Sequence, residues 1–238
     1  MGVLMNNKME KTMDYKDDIT FVLPVRNQPV YLKKCLDSLL KQTIKGEIIV
    51  IDDASTDITP FIIESYKNDI DKIITNKERK GSAYCRNMAN QLVETSIIAV
   101  CDCDYYYPNR GLNILEFFKQ YPDVDVFYSA LHIKPHNYLD NELYRMQAFE
   151  WDFKSKCPIS HPTVAYRKKI TENVKYPEKS VETDLYEFFL LEAHKKGYKF
   201  GWDDTVQTTK YEGVSHRNQD ESRKLKKEMY KPFGIEYE

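Results

Sequence analysis

Glycine is scarce in this chain, 8 residues of 238. That argues against an architecture of repeated glycine turns, and no strand is followed by the G-x-G-x-x-G of a dinucleotide fold. No basic excess exists either: 35 Lys and Arg face 37 Asp and Glu, a formal charge of -2. Bulk nucleic-acid binding and acidic disorder both lack their compositional footprint. Apolar runs such as Ile48–Ile51 and Ile97–Cys101 fall far short of the roughly 18 residues of a membrane span. Met1 to Asp18 is polar and mixed in charge, without the apolar centre of a signal peptide, and reads as a short disordered leader. Gly2 is followed by Asn6 where a myristoylation signal needs Ser or Thr. The five cysteines (Cys35, Cys85, Cys101, Cys103, Cys157) are odd in number and scattered, unlike a secreted disulfide framework. They read as reduced thiols of a cytoplasmic protein.

What is present is an ordinary globular composition, 42% hydrophobic and 30% charged. At about 150 residues per domain the length gives roughly 1.6 units, one large domain with an appendage. From Ile19 a regular alternation begins. Ile19–Val25 is a short β-branched run of the kind buried on both faces of a parallel sheet. Pro29 suits a first helical turn, and Leu32, Cys35, Leu36, Leu39 and Leu40 recur at helical spacing. Glu47–Ile51 predicts a second strand, followed by the cap-rich loop Asp52–Asp57. A helix through Phe61, Ile62 and Tyr66, a weak strand over 72–75, a helix over 82–94 and a strong strand over 96–101 follow. Strands separated by helices in this rhythm predict crossover units and a sheet with helices on both faces, with ligands at the strands' carboxyl ends.

The second half is less regular. It predicts a helix over 113–121, a strand over 123–133, a helix over 139–153, a strand over 163–166 and a helix over 181–196 capped by Ser180 or Thr183 and stopped by Gly197. Two short strands, 198–202 and 206–210, and a charged helix from about Gln219 complete the chain. There is no internal repeat and no low-complexity linker.

Two of the strongest strands end in paired carboxylates. Asp102-Cys103-Asp104 sets two hard oxygen ligands beside each other with the residue between them pointing away, a donor set for Mg2+ or Mn2+ shared with phosphates. The same pair could cap the following turn. Cys101-x-Cys103 lacks the second Cys or His pair of a zinc site. In Asp52-Asp53-Ala-Ser-Thr-Asp57 an Asp could accept from a nucleobase N–H and the following helix amides could receive an anion; helix capping by Ser55, Thr56 or Asp57 explains the loop equally.

The order Leu23-Pro-Val-Arg-Asn27, Cys35-Leu-Asp-Ser38, Gln42, Glu47 to Asp57, Arg79-Lys-Gly-Ser-Ala-Tyr-Cys-Arg-Asn87 and Asp102-Cys-Asp104 resembles the nucleotide-sugar-dependent glycosyltransferases of family 2, tightly over Ile19 to Pro108 and loosely to Glu182-Thr-Asp184 and His216. The resemblance implies an α/β GT-A fold, Rossmann-like, a single domain with a mainly parallel mixed sheet. Its bounds would be a leader over 1–17, the domain over 18–212, and a loop and tail helix over 213–238. It implies an inverting transfer of sugar from a UDP-sugar or similar donor to a glycan or other hydroxyl acceptor, with Mn2+ or Mg2+. By position, Pro24, Val25, Arg26 and Asp53 would meet the base, with Asp52 supporting the loop. Arg79, Lys80 and Arg86 would touch base or diphosphate, and Asp102 with Cys103 would lie near the ribose and metal. Asp104 would be the main metal ligand, and His216 in the C-terminal loop could complete its shell. Asp184 matches the catalytic base, with Glu182 its competitor. Two positions depart from the pattern: Arg26 stands where an aromatic is common, and Glu182-Thr-Asp184 replaces an adjacent acid pair. His161, Trp202 and Asp203 are acceptor-side candidates, each with a structural role as the simpler reading.

Single displacement needs one carboxylate to take the acceptor proton and one metal to neutralise the departing diphosphate. The rivals are a non-catalytic binding module of the same fold and a nucleotidyltransferase, which would open with a glycine-rich loop that Pro24 to Pro29 lacks. The basic end Arg223–Lys227 could touch anionic lipid, but interleaved Glu221 and Glu228 favour a solvated face.

Overall fold

The structure is a computed structural model that describes residues 13–14, 18–134, 144–146, 152–154, 157, 159–183, 185–211 and 219–236. Strand β1 (Met13–Asp14) pairs in parallel with β3 (Ile44–Lys45). Everything else is organised by one nine-stranded mixed sheet. Its first half consists of β2 (Ile19–Val25), β4 (Glu47–Asp52), β5 (Lys72–Thr75) and β6 (Ile97–Val100), all parallel, in the order β5-β4-β2-β6. The helices between them are α1 (Pro29–Leu40), α2 (Thr59–Ser65) and α3 (Ser82–Leu92).

The apolar runs become strands because both their faces are covered. Phe21 and Leu23 share a core with Leu32, Cys35, Leu36 and Leu39 of α1, while Val22, Ile49 and Ile51 share one with Ala83, Cys85 and Ala89 of α3. Neighbouring side chains on a strand point to opposite faces, so an unbroken apolar run is what a doubly covered strand requires.

After α4 (Arg110–Gln120), which joins the α1 face, the sheet turns mixed. Beyond the short β7 (Tyr105–Tyr106) come β8 (Val126–Lys134), β9 (Tyr144–Met146), β10 (Ala165–Arg167) and β11 (Phe200–Tyr211). β10 runs antiparallel between β6 and the start of β8, β9 pairs with the end of β8, and β11 joins β8 in parallel and β7 antiparallel. Helix α5 (Tyr186–Lys195) covers the α3 face.

Several expectations from the sequence are corrected here. The helix expected from Val181 begins at Tyr186, because the Ser180 hydroxyl accepts from the amides of Glu182 and Thr183 and folds a turn instead. The two C-terminal strands are one strand with a register shift between Asp203 and Thr208. Within the helix expected over 139–153, residues 144–146 form an edge strand; the rest of that stretch lies almost wholly outside the described residues, as do residues 1–12 and 15–17 of the leader. The tail helix α6 (Gln219–Tyr230) forms as expected and joins the main core: Tyr230 packs on Phe188 of α5 at 4.8 Å, and Lys226 Nζ lies 2.5 Å from the buried Glu187 carboxylate. Among the described residues no helix is long and apolar enough to cross a membrane.

Candidate active site

In this sheet order the connection from β2 leads one way to β4 and the connection from β5 leads the other way to β6, so the crevice at the carboxyl ends of β2, β4 and β6 is where a ligand fits. Asp52 closes β4, and its Oδ1 accepts from the Ser55 amide at 3.0 Å. Asp53, 5% exposed, follows directly after β4. Its Oδ1 accepts from Asn76 Nδ2 and the Lys80 amide, both at 2.8 Å, and its Oδ2 from the Gly81 amide at 2.8 Å. The Cys85 thiol also lies against it, and burial pushes that thiol up to about 12. The loops after β2 and β4 are tied together: Arg26 donates to the carbonyls of Asp53 and Ala54, and Thr56 N donates to Asn27 Oδ1 at 2.8 Å. Asn27 and Ala54 both take left-handed backbone, at φ 50 and 55.

The D-x-D is held from beneath. The Asp102 amide donates to the Tyr107 hydroxyl at 2.8 Å. Arg86, 2% exposed, places Nη2 2.6 Å from Asp102 Oδ1. Arg110 is fully buried and donates to the carbonyls of Val100 and Val164 at 2.8 and 2.7 Å, with its guanidinium 5.1 Å from the Tyr107 ring centre. Cys101 and Cys103 are buried, and burial raises both thiols, Cys101 to about 12. Neutral buried thiols are inert as soft-metal ligands. Among the described residues no group of three or more metal-ligating side chains assembles. Adjacent carboxylates are the donor type of a hard divalent cation whose remaining ligands come from phosphates and water.

The three cations expected at the base or diphosphate are all engaged within the chain. Arg86 holds Asp102. Lys80 Nζ lies 2.6 Å from Glu78. Arg79 binds Glu182 through both guanidinium nitrogens, with Nη2 2.9 Å from Oε2, and donates to the Val181 carbonyl at 3.2 Å. Gly81, at φ +89, lies so close that a Cβ there would sit 2.9 Å from Val181 Cα. The base candidate Glu182 is thus placed against the loop that Asp53 organises; Asp184 and His216 lie outside the described residues. His161, expected on the acceptor side, is 1% exposed and engages the Tyr176 hydroxyl instead of open solvent, at 3.0 Å. Trp202 is 42% exposed on β11, beside Asp203.

Sequence reasoning missed Asn76, Tyr107, Arg110 and Tyr176. Asn76 sits directly after a strand that pairs with β4, so its register was readable. Tyr107 lies five residues after Asp102 and Arg110 ten after Val100, so their placement was near at hand, whereas Tyr176 meets Asn87 from 89 positions away.

A parallel half-sheet continued by antiparallel strands, with acids gathered at its carboxyl ends, is the GT-A fold. The glycosyl transferase family 2 profile matches residues 20–196, and the chain belongs to that family. An uncharacterized glycosyltransferase of Methanocaldococcus jannaschii is 25% identical over 230 residues, covering 91% of this chain and 78% of that protein. S. aureus TarS in complex with UDP-GlcNAc has a TM-score of 0.64 at 23% identity, covering 83% of this chain and 60% of that one. A mannosyltransferase from Pyrobaculum calidifontis in complex with GDP-Man and Mn2+ has a TM-score of 0.63 at 20% identity, covering 88% and 60%. The two structures bear on the fold alone, and the chain spans about three fifths of each.

Proposed function

We propose that the protein transfers a sugar from a nucleotide-diphosphate sugar, a UDP-sugar, to a hydroxyl of a glycan acceptor by a single inverting displacement. The observation that supports this most is the buried Asp53 at the switch point, with its loop of amides and the D-x-D just past the end of β6. A carboxylate offers about four acceptor positions. Three are taken by Asn76, Lys80 and Gly81, and the fourth would serve a nucleobase N–H. Asp102 and Asp104 would hold Mn2+ or Mg2+, which supplies charge neutralisation for the departing diphosphate. Asp184 would take the acceptor proton. Glu182 is less available for that task because both its oxygens meet Arg79. The relatives' ligands, UDP-GlcNAc in one structure and GDP-Man with Mn2+ in the other, support a nucleotide-sugar donor and a divalent metal.

The test is a thermal-shift screen of UDP-, GDP- and dTDP-sugars with and without Mn2+, followed by a transfer assay. A UDP-sugar should stabilise the protein only with metal present, and no metal-dependent stabilisation by any donor ends the donor assignment. Asp184→Asn should keep donor binding and lose transfer; full transfer in that variant moves the base to Glu182.

A further inference from the structure

Past the end of β6 the sheet ladder gives way to a side chain. The Val100 amide donates to the Val164 carbonyl at 3.0 Å and the Cys101 amide to the Val22 carbonyl at 2.9 Å, one on each side of the strand. The next amide, that of Asp102, donates to the Tyr107 hydroxyl at 2.8 Å. The same hydroxyl donates back to the Asp102 carbonyl at 3.2 Å. A single phenol thus engages both main-chain groups of the first acid of the D-x-D. The Asp102 carbonyl also accepts from the Tyr105 amide at 3.3 Å, which closes the turn between that acid and the tyrosine. Tyr107 can serve as an anchor because it is itself held. It is fully buried, its amide donates to Ser38 Oγ at 3.2 Å, and Ser38 is tied into α1 by donating to the Cys35 carbonyl at 2.7 Å. The Arg110 guanidinium lies 5.1 Å from its ring centre and bonds the carbonyls of Val100 and Val164, so ring and strand end share one frame. The Asp102 carboxylate has a different anchor, Arg86. Removing the hold on the main chain therefore leaves the hold on the side chain in place.

Two carboxylates on one short turn repel each other while no cation lies between them. If binding had to order that turn, the cost would be subtracted from affinity; a turn ordered in advance avoids it. We propose that Tyr107 is a positioning residue for the metal-bound diphosphate, its one hydroxyl fixing the main chain of Asp102 before any ligand arrives. The inference rests on the transferase reading above, in which Asp102 and Asp104 hold a divalent metal. Tyr107 touches neither metal nor substrate in that reading and acts only through Asp102.

The experiment is a calorimetric titration of wild type, Tyr107→Phe, Ser38→Ala and Tyr166→Phe with UDP plus Mn2+ and with UDP in EDTA, alongside the melting temperature of each free protein. Tyr107→Phe keeps the ring beside Arg110 and removes only the hydroxyl on which the proposal stands. Its affinity for UDP with Mn2+ should fall about 10-fold, while its affinity for UDP in EDTA stays within about twofold of wild type, because the Asp53 loop is unchanged. Ser38→Ala leaves the hydroxyl and loosens its support; it should show the same selective loss at about 2- to 5-fold, and it carries the test if Tyr107→Phe does not fold. Tyr166→Phe removes another buried phenol hydroxyl, one that donates to Asn90 Oδ1 at 3.0 Å, and should bind both ligands as wild type does. Wild-type affinity with Mn2+ in Tyr107→Phe overturns the proposal, or in Ser38→Ala where the first variant does not fold. Equal losses with and without metal also overturn it, as does a loss that Tyr166→Phe shares in step with its melting temperature. A wild type that binds UDP no better with Mn2+ than in EDTA refutes the metal-dependent transferase reading itself, an outcome separate from these.

Discussion

Replacing Asp53 by Asn is the sharpest probe of the crevice, because the change keeps shape and removes one acceptor. Asp53 divides its bonds between its oxygens: Asn76 and the Lys80 amide on Oδ1, the Gly81 amide on Oδ2. An amide side chain has one oxygen and one NH2 group. Turned the better way, its oxygen serves Asn76 and Lys80 while its NH2 faces the Gly81 N–H, donor against donor. One buried donor left unsatisfied costs about 1–3 kcal/mol, and the two surviving bonds weaken as they lose a charged acceptor. The total is about 2–5 kcal/mol, and at about 2–4 °C per kcal/mol for a chain of this size the melting point should fall by roughly 5–15 °C. The measurement is a ligand-free thermal or urea melt, followed by UDP titration well below the new midpoint. Asn76→Ala, which removes one donor and leaves the carboxylate, should cost about 1 kcal/mol. An Asp53→Asn variant that melts with wild type would refute the claim that this carboxylate organises the 79–81 loop, whatever happens to nucleotide binding.

Three further outcomes follow from the same geometry. Gly81→Ala forces a side chain onto left-handed backbone 2.9 Å from Val181 Cα and should cost about 2–4 kcal/mol in a urea melt; a neutral result would mean that the 79–81 and 180–183 segments are not in contact. A double-mutant cycle on Arg79 and Glu182, whose side chains are 36% and 37% exposed, should return a coupling of about 0.2–1 kcal/mol that shrinks with added salt; about 3 kcal/mol or more would mark a desolvated pair. The thiols should be silent to a disulfide reagent at pH 8 in the folded protein, with all five reacting in denaturant. Because burial raises the Cys85 and Cys101 thiols from 9.0 to about 12, the unfolded chain releases protons first, so their contribution to stability is whole below pH 9 and declines as pH rises from there toward 12. A urea midpoint that climbs between pH 9 and 10 would contradict this.

The first half of the fold was legible because its information is local. Ile19–Val25 is apolar but for Thr20 and Ile48–Ile51 is apolar throughout, which a doubly covered strand requires, and Leu32, Cys35, Leu36 and Leu39 trace a helical stripe. The strand-end acids followed from those elements. The second half was harder because its elements are decided by pairing at a distance. Tyr144–Met146 becomes an edge strand because β8 is long enough to offer it a partner, and the turn at 180–183 replaces a helical one through a single serine hydroxyl. The site shows the same division. Asp53, Asp102 and Asp104 could be nominated from position alone, whereas the cations beside them could be named but not paired: nothing local says that Arg79 meets a residue 103 positions away.

Those pairings explain why the segment Arg79-Lys-Gly-Ser-Ala-Tyr-Cys-Arg-Asn87 is rich in polar residues. It has two sides. Toward the sheet, the Lys80 and Gly81 amides serve Asp53 and Arg86 serves Asp102. Toward the rest of the molecule, the same nine residues lie against Tyr176 to Glu182 in opposite directions: Asn87 on the Tyr176 main chain and Glu178, Gly81 on Val181, Arg79 on Val181 and Glu182. Going backward along one segment moves forward along the other, as in a zipper. A chain so placed cannot shift at Asp53 without pulling on Val181, because the Gly81 amide is bonded on one side while its Cα faces backbone on the other. Asp53 and the 180–182 segment are thereby joined through a single turn, and the missing Cβ of Gly81 is what lets the two backbones come close enough for it.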